Sequence, residues 1–366
     1  MKDKKVIALG LFTASVVLFI TSCYPANTGN TQKASPVDST DKARVIQDEI
    51  ETKESQKWLS RLGKTYSISE LRDLRTLNLQ KAKISDSDLV HLKGLKNLME
   101  LDLSGTNVTD KGLVYLKVLK KLRWLDLMGT HATDKSLVLI KDLTSLEWLN
   151  LGRTRITDEG LIHLKSLKDL KTLGIGNKQI TNKGLIHLKD LNSLEVLGLT
   201  RTKVSDQGLL HLKGLNKLKW LELKDTSITN NGLIYLKPLK TLEMLVLTNT
   251  QLTNDGLVHL KAFNRLQSLI LGGNNISDEG LVHLKALKTL KTLTLSGNIS
   301  DKGLKHLKSI KTLETLNLNF TRVTDEGLKC LETFSHLLIL DLAGTKVTRA
   351  GVLRLRRILT NCFIMH

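Results

Sequence analysis

Three of the chain's four tryptophans, Trp124, Trp148 and Trp220, stand at multiples of 24 residues from one another, and carboxylates gather round the first. Glu100 lies one interval before Trp124, while Asp102 and Asp126 each follow two residues after a member of that column. Met244 continues the tryptophan column, and Val246 and Ile270 share the column two residues on. An aromatic and aliphatic strip rimmed by acids has the composition of a protein-binding hot spot. Glu100, Asp102, Trp124, Asp126, Trp148, Trp220, Met244, Val246 and Ile270 are therefore the candidate ligand-binding set. The alternative is that the aromatic rings only brace neighbouring strands.

Catalysis finds no comparable signal. The sequence holds no HExxH, no CxxC pair, no phosphate-binding Walker loop and no nucleophile elbow, so no enzyme, catalytic residue, cofactor or metal is expected. Histidine recurs at the same spacing (His91, His163, His187, His211, His259, His283 and His306), with Tyr115, Leu139 and Tyr235 substituting. A metal site needs ring nitrogens converging at about 2.0–2.1 Å. Equivalent side chains on packed helices about 8–10 Å apart run parallel instead, so these rings are read as packing residues.

The elements that position these columns come from one repeated unit. Copies begin at Leu74, Leu98, Leu122 and so on to Leu337, twelve in all. Each reads close to L-x-x-L-x-L-x-x-T-x-[IV]-[TS]-[DN]-x-G-L-x-H-L-K-x-L. That period and leucine spacing are the signature of leucine-rich repeats. Such a unit cannot bury its apolar face by itself, so copies must stack into a solenoid with one continuous core. The expected fold is an α/β solenoid, a horseshoe with a concave parallel sheet and short convex helices. Positions three to six alternate as a half-buried strand does, putting Leu125 and Leu127 inward and Trp124 and Asp126 outward. The Thr-Asp pairs, such as Thr109-Asp110, are expected to start the helices. The tenth copy lacks one residue around Ser296-Gly297-Asn298, which should tighten a turn and leave strand register intact.

The expected domains are a signal peptide at 1–22, a flexible tether at 23–41, an N-terminal capping helix region at 42–73 and the repeat domain at 74–366. Val45, Ile46, Ile50, Trp58 and Leu62 are the apolar residues expected to cover the first repeat. Residues 24–41 are rich in Ser, Thr, Asn, Pro and Gly, too polar to bury a core.

Charge is strongly positive. The 366 residues carry a formal net charge of +19, which falls to +17 if the signal leaves with Lys2, Asp3, Lys4 and Lys5. Much of the excess sits at one repeat position: Lys93, Lys117, Lys141, Lys165, Lys189, Lys213, Lys237, Lys261, Lys285 and Lys308. Lysine in the last turn of a short helix suits its dipole. Stacked into a stripe, it could also receive an anionic glycan or lipid, the alternative function. Cys330 and Cys362 lie in the last two copies, and their spacing leaves a disulfide open.

Two resemblances follow. Lys2, Lys4 and Lys5, the apolar run from Val6 to Ile20 and the tetrad Ile20-Thr21-Ser22-Cys23 resemble a bacterial lipoprotein signal with its lipobox. This implies acylation of Cys23 and anchoring in the bacterial cell envelope, at the outer membrane or cell surface. Export makes nucleic acid an unexpected partner. The repeat consensus is similar to that of the internalin-like bacterial leucine-rich-repeat proteins, which implies a scaffold for a protein or peptide partner. Unlike Gram-positive internalins, this sequence shows no C-terminal sorting motif and has the lipobox at its front.

Overall fold

The computed structural model describes residues 39–366, with side chains from residue 43. Cys23, the signal segment and nearly all of the expected tether lie outside the described residues. The chain divides into two units, Met1–Val45 and Ile46–His366. Of the first, the described part is the start of a helix, Ser39–Arg61, which begins three residues inside the expected tether.

The second unit is a single parallel sheet of thirteen strands in strict sequence order, from β1 (Thr76–Asn78) to β13 (Phe363–Met365). Each strand is three residues long, and its middle residue, leucine throughout except Ile364, is buried. Neighbouring strands pair residue for residue at the 24-residue interval, so Leu101 lies beside Leu77 and Leu125 beside Leu101. On the other side, a short stretch of α- or 3₁₀-helix follows every strand but the last. In the second copy, Leu113, Leu116 and Leu119 of that segment are fully buried. A buried leucine contributes roughly 1.5–3 kcal/mol, and the leucine columns run through the whole unit without a gap. The missing residue of the tenth copy leaves register untouched, with Thr292 paired to Thr315, and the turn is made at Gly297 with φ +80°.

A polar ladder runs between copies, built from the same aspartates that stand in the first turn of the helices. A threonine caps several of the helices, Thr109, Thr133, Thr229, Thr324 and Thr181 among them, the last by accepting from the Lys183 amide. The aspartate after such a threonine turns towards the following copy. Asp158 accepts the Thr181 N–H at 2.8 Å and the Thr181 hydroxyl at 2.5 Å. Asp86, Asp110, Asp134, Asp206, Asp301 and Asp325 do the same for the threonines 23 residues on. Burial pushes Asp110 up, but the hydroxyls of Ser136 and Thr133 outweigh it and hold that carboxyl below its ordinary value.

This ladder also explains the glycine of the repeat. A Cβ at Gly184 would stand 2.4 Å from Asp158 Oδ1, so the glycine makes room for the neighbouring carboxylate rather than for the sheet. The third copy has Ser136 instead, fully buried, with its hydroxyl donating to Asp110.

Both ends differ from expectation. In the helix Ser39–Arg61, Trp58 and Leu59 are buried and Leu62 beyond it is half-buried, but Val45, Ile46 and Ile50 are 56%, 59% and 51% exposed. Only its last turns therefore cover the first repeat; Trp58 stacks on His91 with ring centroids 5.6 Å apart. At the far end, the helix Arg349–Ile358 leads into β13, a strand beyond the twelve copies. Arg356 donates to the Ile364 carbonyl and Arg354 to that of Asp325, which ties the basic terminal helix to its neighbours. Cys330 is buried, Cys362 is half-buried, and both are free thiols. Burial pushes the Cys362 thiol up to about 11.

Candidate functional site

The nine candidate residues all lie on the outward face of the sheet, at the first or third residue of a strand. Strands β2 (Glu100–Asp102), β3 (Trp124–Asp126) and β4 (Trp148–Asn150) carry the acid and aromatic half. Because these strands pair in register, Trp124 and Trp148 stack, with centroids 4.3 Å apart and planes 14° from parallel. Both remain half-buried, so part of the stack is open to solvent. Glu100 is exposed beside them and accepts from the Thr76 hydroxyl at 3.0 Å.

Asp126 faces outward, as its position requires, yet only 3% of it is exposed. It accepts the Met128 amide at 2.8 Å and the Asn150 side-chain amide at 3.4 Å, both neutral groups. Burial, with the charge of Asp102 added, raises its carboxyl to about 6 against those two hydrogen bonds. Asp102 stands next to it in register and accepts the Ser104 amide at 2.9 Å.

Trp220 does not join the tryptophan pair. Strands β5 (Thr172–Gly174) and β6 (Val196–Gly198) intervene before β7 (Trp220–Glu222). At about 4.8 Å per strand, Trp220 is about 14 Å from Trp148. In that interval the tryptophan column carries Thr172 and Val196, and the column two residues on carries Gly174 and Gly198, adjacent in register, as a glycine floor. A Cβ on Gly174 would lie 2.9 Å from Asn150 Oδ1, so the Asn150 amide leans over that floor. Beyond it, Met244 lies beside Trp220, and Val246 beside Ile270, across β8 (Met244–Val246) and β9 (Ser268–Ile270).

Three features of this face had not been singled out. Glu222 closes the glycine interval, and burial raises its carboxyl against the opposing charge of Lys224. The signal was an acid two residues after a tryptophan, the arrangement that drew attention to Asp126. Second, the indole N–H of Trp220 and the hydroxyl of Ser268 are buried without a hydrogen-bond partner among the described residues. Third, residues just before seven of the strands form charge pairs at the rim: Arg123 and Lys171 with Glu147, Lys219 with Glu195, and Lys291 with Glu314. Their alternating signs at 24-residue intervals were there to be read.

The face admits charge of one sign. The first and third residues of the thirteen strands include Glu100, Asp102, Asp126, Glu222 and Asp341, and not one lysine or arginine. The 366-residue chain holds 55 of those cations.

Six of the seven histidines of the column are half-buried, and His306 is exposed. His91 stacks on Trp58, and burial followed by the Lys165 charge depresses His187. No group of three or more His, Cys, Asp or Glu side chains is placed to hold a metal among the described residues. Nor is any described helix long and apolar enough to cross a membrane.

The leucine-rich-repeat family model matches residues 94–117, 142–165, 265–285 and 309–331. No curated protein matches the sequence. Among solved structures, an internalin (inlF) from Listeria monocytogenes is 23% identical with a TM-score of 0.62, over 86% of this chain and 93% of that one. A leucine-rich-repeat protein of Leptospira interrogans is 22% identical with a TM-score of 0.52, over 82% of this chain and 86% of that one. At these identities the likeness is one of fold. The chain is a leucine-rich-repeat solenoid of internalin-like architecture, its sheet concave and its short helices convex.

Proposed function

We propose that this solenoid is a binding scaffold of the bacterial cell envelope, anchored by lipid at Cys23, which receives a protein or peptide on its concave sheet. The observation that carries the reading is the half-open Trp124–Trp148 stack beside a buried carboxylate. Rigid aromatic side chains give large contact area at low entropic cost, which is why they anchor interfaces. Sheet bracing accounts for the stack but not for Asp126, whose buried charge weakens the fold it sits in.

Trp124→Ala combined with Trp148→Ala is expected to abolish capture of the partner from envelope extracts. The circular dichroism spectrum should be retained, because neither ring belongs to the leucine core. Capture at the wild-type level would remove the concave face from consideration. For the anchor, Cys23→Ser is expected to shift the protein from the membrane to the soluble fraction; retention in the membrane would count against lipidation. The exposed members of the lysine column, including Lys117, Lys165, Lys189, Lys213, Lys261 and Lys285, support a second reading. They would make the convex flank a receptor for anionic glycan or lipid, with binding lost steeply as salt rises.

A further inference from the structure

We infer that the partner segment on the concave sheet is a cationic, extended peptide, whose arginine or lysine side chains sit against the Trp124–Trp148 stack and the carboxylates Asp126 and Glu222. The inference rests on the concave-face reading and names the chemistry of its occupant.

Three independent observations converge. The outward columns carry five carboxylates and no cation in a chain of net charge +19. Cations in the column just before the strands are matched to glutamates, Arg123 and Lys171 to Glu147 and Lys219 to Glu195, and Lys224 acts on Glu222 from two residues on. The rim thus holds much of its own positive charge in pairs, while Asp126 further in receives hydrogen bonds from neutral groups. Asp126 takes the amides of Met128 and Asn150. An indole face beside a carboxylate suits a guanidinium or ammonium group, which gains from both the ring and the charge.

The second observation is the glycine floor. Gly174 and Gly198 occupy the third-residue column on the two strands that separate Trp148 from Trp220, beside Thr172 and Val196 of the tryptophan column, and their missing side chains lower the sheet there, with the Asn150 amide leaning over the first of them. Asp126 and Glu222 share the column of these glycines, one on either side of them.

The third concerns donors rather than acids. Ser268 is 7% exposed, and its hydroxyl has no partner among the described residues; the same holds for the buried Nε1 of Trp220. Both residues belong to the first outward column, separated there by Met244. A ligand reaches these donors only as their side chains shift, and one that brings an acceptor then removes the cost of leaving them unpaired. A polyamine brings cations without acceptors, and an anionic glycan brings acceptors without cations. A basic peptide brings side-chain cations and main-chain carbonyls together.

The test uses the full chain and a peptide of about nine residues alternating arginine with serine. At about 3.3 Å per residue, that length runs from β2 to β8. Binding is read by fluorescence anisotropy against the same peptide carrying citrulline, the neutral isostere, and against spermine as competitor. The wild type is expected to bind the arginine peptide roughly tenfold or more tightly than the citrulline one. Asp126→Asn with Glu222→Gln should erase that preference, and spermine should compete only weakly. Equal affinity for the two peptides, an unchanged preference in the double variant, or spermine binding as tightly as the peptide would each overturn the proposal. Thermal melts of the variant guard against a folding defect. Partner capture from extracts separates the two levels. If the charge variant still captures the partner while Trp124→Ala with Trp148→Ala does not, the concave face stands and the cationic occupant falls.

Discussion

Gly184→Ala is expected to destabilise the solenoid by about 2–4 kcal/mol, a large effect for one methyl group. The added Cβ would lie 2.4 Å from Asp158 Oδ1 and 2.9 Å from Leu161 Cδ1. Asp158 has nowhere free to go, because its two oxygens hold the amide and hydroxyl of Thr181. Moving it leaves those donors unpaired in a part-buried place, so overpacking and lost hydrogen bonds add. Serine at the same position should cost less than alanine despite its extra atom, because Ser136 already fills the equivalent place by donating to Asp110. In an Asp158→Ala background the added cost of alanine at 184 should shrink, since the atom it collides with is gone. Urea unfolding of the four proteins measures this as a double-mutant cycle. Additive effects, or an alanine variant within about 0.5 kcal/mol of wild type, would show that the glycine serves some other purpose. Local opening of stacked repeats is expected, so exchange protection near 184 should be followed beside the global curve.

The second prediction concerns Asp126. Asp126→Asn is expected to raise stability at pH 7.5 while weakening capture of the partner. The same column already uses asparagine at 78, 150 and 317, each accepting the amide two residues on at 2.9–3.0 Å. An amide at 126 can therefore keep the Met128 bond without carrying a charge into a place 3% exposed. The sign follows from the carboxyl standing at about 6 in the fold against an ordinary 3.8. The folded protein holds its proton where the unfolded chain has released it, so the cost of the charge is absent below about pH 4. It grows between the two values and is complete above about 6. A shift of this size corresponds to about 2–3 kcal/mol. Melting midpoints of the two proteins should converge near pH 4 and separate above pH 6, the asparagine variant the more stable. Asp102 on β2 is the charged neighbour that could blur the profile, and Asn150 on β4 is neutral; Arg123 and Glu147, just outside, pair with each other. An asparagine variant less stable than wild type at neutral pH would mean that the carboxylate is a structural member of the sheet.

The architecture was legible in the sequence because leucine at positions one, four and six recurs without drift, and a fixed interval becomes a fixed register. Trp124 could be set beside Trp148, and Leu125 beside Leu149, before any coordinates. What stayed hidden depends on contacts across the interval. Asp158 looks like a helix-start acid until Thr181, 23 residues away, is seen to hold it. Outward and exposed are also different properties. Asp126 and Glu222 face the concave side but are covered by their neighbours, and a pattern of alternation carries no information on that. Strand β13 escaped notice because Phe363-Ile364-Met365 has Asn361 and His366 where a repeat would place leucines. Val45, Ile46 and Ile50 show the reverse failure: apolar residues in a helical stretch imply a covering face, yet they are exposed.

That ligand meets this protein on its concave sheet is tested most directly by a photo-crosslinking amino acid placed at single positions in the full chain. Thr172, half-buried between Trp148 and Val196, represents the concave face; Lys165, exposed at the end of a convex helix, represents the flank. Irradiation in envelope fractions is expected to give one discrete adduct from position 172 and none from 165. An adduct from 165 with nothing at 172 would move the binding surface to the lysine flank and contradict the account.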